Sequence, residues 1–104
     1  MPALERTGKI ILRIDDIPKY AGTRKELKAD LIKLDIIDAL ENKLKDYGSL
    51  KPLHGIASAN YTENYFEIPD VIFLKIIADP ETITVEYKYF KAGLDLESII
   101  HNVI

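Results

Sequence analysis

Six residues, Lys19, Gly22, Thr23, Arg24, Lys25 and Lys28, have the types and spacing to hold an anion. A helix beginning near Thr23 would aim free backbone N–H groups at a phosphate or carboxylate, and Gly22 would allow close approach. Arg24 and Lys25 stand in a first turn where the helix dipole favours acids, and cations kept against that preference suit an anionic ligand. Solvated surface charge is the plainer account of the same residues, with Glu26 as the expected acid. No Gly-x-Gly or Walker spacing supports the sharper account.

Other chemistry is thinner. Tyr61, Tyr65, Phe66, Tyr87, Tyr89 and Phe90 could stack the bases of a single strand, but platforms of that kind carry Lys and Arg for the backbone. Residues 53–104 offer three basic residues against eight acids, so cross-strand pairing of tyrosines explains the set better. His54 and Ser58 share one face of a predicted strand about 13 Å apart, too far for a base and its nucleophile. Glu97 and His101 read as a surface contact on a helix. Asp15, Asp16, Glu67 and Asp70 could meet a hard cation, although acids before a proline are ordinary turn chemistry. No catalytic residue, metal-ligand set or cofactor is assigned, and a non-enzymatic role is expected.

Composition limits the classes. The chain has 104 residues, 47% apolar and 30% charged, which fits one globular domain. There is no cysteine, so disulfides and thiolate chemistry are excluded. Residues 1–52 hold eleven basic and nine acidic residues, and the net charge of the whole chain is −3. That balance disfavours a dedicated nucleic-acid binder. No apolar run approaches the roughly 20 residues of a membrane span, and no basic segment leads into an apolar one at the N-terminus. A cytoplasmic protein is expected, and the scarcity of thermolabile residues beside many Lys, Glu and Ile suggests a thermophilic source.

These residues need elements to position them. Residues 23–48 give the strongest signal, with Leu27, Leu31, Leu34, Ile37, Leu40, Leu44 and Tyr47 at steps of three and four, as on one face of a helix. Thr23 and Glu26 form a capping-box pattern, and Gly48 suits the C-terminal stop. Residues 1–7 read as a loose lead-in and 8–14 as a first strand, ended by Pro18. Strands follow over 53–61, 65–68, 71–78 and 82–91, with turns at 62–64 and 79–81. A short helix opens at Asp95, stapled by Leu94 against Ile99.

The expected fold is α+β, a two-layer sandwich of one long helix on a mostly antiparallel sheet of four or five strands, in the order β-α-β-β-β-β-α. Crossing through the helix would set the first two strands parallel. Ile32 and Ile36 flank the helical stripe and widen it. With Tyr87, Tyr89, Ile100, Val103 and Ile104 they form the expected contact surface of a homo-oligomer. A protein partner is the next expectation, and a nucleic acid or nucleotide phosphate at the helix start is the alternative.

Overall fold

The computed structural model describes residues 6–90 and 95–103, apart from the side chains of Lys25, Glu26 and Val103. Strand β1 (Arg6–Arg13) leads through two short 3-10 turns to helix α1 (Lys25–Leu44). Strands β2 (Lys51–Pro52), β3 (Ile56–Ser58), β4 (Tyr61–Ile68), β5 (Ile72–Ala78) and β6 (Thr82–Tyr89) follow, and helix α2 (Leu96–Val103) ends the chain. The two helices and a six-stranded sheet make the two-layer α+β fold that the pattern predicts. The expected parallel pair is absent among the described strands. Strand order is β1-β6-β5-β4-β2, with β3 also on β4 and every pairing antiparallel. Helix α1 thus carries the chain from one sheet edge to the other, and β6 returns to lie beside β1.

Alternation along the strands sets the core. Register aligns Ile10, Val85 and Ile76 in one row, and Leu12, Ile83 and Ala78 in the next. A third row holds Gly8, Tyr87 and Leu74, where a Cβ on Gly8 would overlap the Tyr87 phenol. The named side chains of these rows are buried. Above them, Ile32, Ile36, Leu40 and Leu44 of α1 are fully buried. Leu96 and Ile100 of α2 are in the same core.

This corrects the expected helical stripe. Leu27, Leu31 and Leu34 are 49%, 39% and 56% exposed, while the supposed flank of Ile32 and Ile36 is the true inner face. The reason is rotational. Three successive steps of three, from Leu31 to Leu40, each lag a full turn by about 60°, so the drawn stripe winds round the helix. Steps of four from Ile32 to Leu44 drift less.

Boundaries moved for local reasons. The amide of Thr23 donates to Tyr20 O at 3.0 Å, and the cap position falls to Arg24, whose side chain makes no capping bond. The helix stops at Leu44, before Gly48. Strand β1 begins at Arg6, inside the expected lead-in. Of the predicted strand over 53–61, residues 56–58 form β3, while β2 lies before it, on the other side of Gly55. A Cβ there would collide with the Glu63 carbonyl oxygen, so Gly55 lets the chain pass close against β4. The turn expected at 62–64 lies instead at Ala59 and Asn60, which leaves Thr62 and Asn64 within β4. Asp95 caps α2 as expected, accepting from the Ser98 amide at 3.1 Å. The proposed Leu94 staple and Ile104 lie outside the described residues.

At protein concentrations low enough to keep the chain monomeric, truncating Leu40 to alanine should cost about 2–5 kcal/mol in urea unfolding, whereas Leu34→Ala should cost less than about 0.5 kcal/mol. Equal costs would contradict this assignment of the two helix faces.

Candidate functional site

Of the six residues proposed for anion binding, Lys19 and Lys28 each pair with a separate acid. Lys19 Nζ pairs with Asp35 Oδ2 at 3.1 Å and lies 5.6 Å from the centre of the Tyr20 ring. Lys28 Nζ is 3.8 Å from Asp15 Oδ1. Gly22 is exposed with φ +86°, and nothing approaches its would-be Cβ. Thr23 is half-buried, Arg24 is the exposed N-cap, and the Lys25 side chain is outside the described residues.

What the segment does is fasten its own fold. Buried Tyr20 donates its hydroxyl to Asp35 Oδ2, joining the second 3-10 turn to the middle of α1. Burial and the Asp35 carboxylate hold the phenol well above its ordinary value, while the Tyr20 bond, with help from Lys19, lowers Asp35.

The expected contact surface is also corrected. Ile32, Ile36 and Ile100 are 0% exposed, Tyr87 8% and Tyr89 9%. All five are in the chain's own core, because the inner helix face and the inner sheet face consume them. Val103's side chain and Ile104 are outside the described residues. The apolar surface that α1 does present is Leu27, Leu31 and Leu34, spaced i, i+4, i+7. At about 100° per residue they centre roughly 180° from Ile36. A helical projection of the sequence alone would have exposed this second stripe.

The aromatic set is divided. Tyr87 and Tyr89 pack within the core with ring centres 5.8 Å apart. Tyr61 and Tyr65 lie on the opposite, open face of the sheet with Glu63, Phe73, Lys75, Ile77 and Glu86, by alternation along β4, β5 and β6. Glu63 organises this face. It accepts from Tyr61 at 2.7 Å and Tyr65 at 2.5 Å, and pairs with Lys75 at 3.2 Å. Lys75 also reaches Glu86 at 3.7 Å and sits 5.7 Å from the Tyr65 ring centre. This is a self-satisfied polar network that engages Lys75.

His54 is exposed, and Ser58 Oγ donates to the Tyr61 carbonyl at 3.2 Å instead of meeting a base. His101 is exposed too. Asp16 pairs with Arg13 at 3.6 Å. Among the described residues no three His, Asp or Glu side chains gather where a metal ion could be held. No described helix is long and apolar enough to cross a membrane. Set beside known families, curated proteins and solved structures, the chain matches none of them.

The Glu63 network has a pH signature. Two tyrosine hydroxyls and the Lys75 ammonium lower the Glu63 carboxyl from 4.5 to about 2. A carboxyl lowered by folding stabilises the protein above its unfolded value, and that contribution fades as pH falls through the folded one. Wild type should therefore lose stability between about pH 5 and pH 2 more steeply than Glu63→Gln. Parallel acid limbs in thermal melts of the two proteins would contradict this.

Proposed function

We infer that this chain is a small non-enzymatic binding or regulatory module that acts as a homo-oligomer, a second copy lying antiparallel along the outer face of α1. The observation that carries this is a helix apolar on two opposite sides. Its isoleucine side fills the core, and its leucine side is 39–56% exposed. An exposed row of leucines on a helix whose other apolar side is already spent marks a contact surface.

Charge favours a second copy over an unrelated partner. Arg24 precedes the leucines, and Asp38 and Glu41 follow them, all exposed. In a pair related by a two-fold axis at Leu31, Leu27 of one copy meets Leu34 of the other, and Arg24 of each comes opposite Asp38 of the other. The nucleic-acid alternative draws no comparable support, since Lys19 and Lys28 are engaged with separate acids.

Light scattering should give a dimer mass for wild type and for Ile11→Lys, which alters the open sheet face, but a monomer for Leu31→Lys with an unchanged circular dichroism spectrum. A monomeric wild type at about 100 µM would overturn the reading. So would dissociation by Ile11→Lys alone. The composition fits a cytoplasmic protein from a hot habitat, and a melting midpoint above the roughly 45–65 °C of mesophilic domains is expected. A midpoint within that range would remove the habitat.

A further inference from the structure

The sheet rows that face α1 end on β4 in Thr62 and Asn64, where alternation calls for apolar side chains. Both meet Lys33 of α1, whose Nζ lies 3.3 Å from Thr62 Oγ1 and 3.4 Å from Asn64 Oδ1. The Lys33 side chain is only 14% exposed, and its acid, Asp30, is 3.5 Å away and 68% exposed. Charge-assisted hydrogen bonds normally run about 2.7–2.9 Å, so all three contacts are loose. A polar island that breaks the core pattern without a packing gain is the mark of a functional position.

Space adjoins it. A cleft of about 370 Å³ opens between α1, the β3–β4 turn and the β5–β6 turn. Ala29, Ala59 and Ala78 keep its walls low, while Ser58 and Asn60 add polar groups. The volume falls in the roughly 300–1,000 Å³ range of small-molecule sites. Asp79 also lines the cleft, but its carboxylate is turned to its own hairpin. It accepts from the amides of Glu81 at 2.8 Å and Thr82 at 2.7 Å, and from the Thr82 hydroxyl at 2.9 Å.

We propose that this cleft binds a small organic anion, one carboxylate or phosphate group of which takes the Lys33 ammonium in place of Asp30. Asp30 is the gatekeeper of the site, since its exposed carboxylate leaves Lys33 without disturbing the core. None of the outer leucines of α1 lines the cleft.

The test is a titration of ¹⁵N-labelled full chain with succinate and, separately, inorganic phosphate, with ionic strength held constant by sodium chloride. Amides of residues 58–62, 78, 79, 81 and 82 should shift saturably with at least one anion, and which one responds identifies the preferred group. Lys33→Met, which keeps the apolar stem, should abolish the shifts, and Asp30→Asn should tighten binding several-fold. Absence of saturable shifts with both anions up to about 50 mM overturns the proposal. Shifts that persist in a folded Lys33→Met, or an affinity unchanged in Asp30→Asn, overturn it equally.

Discussion

The fold depends on the seating of one isoleucine–leucine face of α1 upon the rows of the sheet. Ile32, Ile36, Leu40 and Leu44 are shut from water completely. Each such side chain contributes on the order of 1.5–3 kcal/mol relative to exposure. Leu96 and Ile100 of α2 add to the same cover. The sheet's inner face is continuous across β1, β6 and β5, and without a cover it would present Ile10, Val85, Ile76, Leu12 and Ile83 to solvent. A helix of 20 residues, about 30 Å, is long enough to cover it in one pass.

That seating determines what remains for function. Once the inner face of α1 is spent, its leucines are turned outward. Once β4 contributes Phe66 and Ile68 at one end, its other end offers Thr62 and Asn64 to Lys33. The open sheet face, by contrast, is settled internally by Glu63, Lys75 and Glu86 together with two tyrosine hydroxyls. Antiparallel sheets commonly keep one face on the core and one in water, and on this one Ile11, Tyr61 and Phe73 stay 37–60% exposed. The outer leucines and Lys33 belong to the helix, above the polar end of the sheet.

Much of the architecture was legible because period-2 alternation is hard to mistake. Ile83, Val85, Tyr87 and Tyr89 alternate along the last strand, and all four are buried. The Asp95 cap was equally plain. The helix face was harder, because this helix is apolar on both sides and a stripe drawn by eye crossed from one to the other. Register was out of reach. Residue pattern does not disclose that β6 comes back to β1, and a crossover through a helix made a parallel pair the natural guess. The site residues suffered most. Lys19, Arg24 and Lys28 cluster in sequence, yet Asp15 and Asp35, which take up two of these cations, are distant in the chain and adjacent only after folding. Lys33 was invisible for the converse reason, since its island depends on two β4 positions that read as a turn.

Pairing of the first strand with the last has a consequence for the order of assembly. The meander from β4 to β6 joins neighbours in sequence and closes only short loops. Arg6 to Arg13 must instead wait for Thr82 to Tyr89 before their ladder can form. During synthesis the first strand emerges with Ile10, Ile11 and Leu12 unpaired until nearly all of the chain has followed. Long-range closure of this kind is slow, and a waiting apolar strand is open to wrong partners. Lys9 and Arg13 flank that run, and charges so placed oppose aggregation of an unpaired apolar strand.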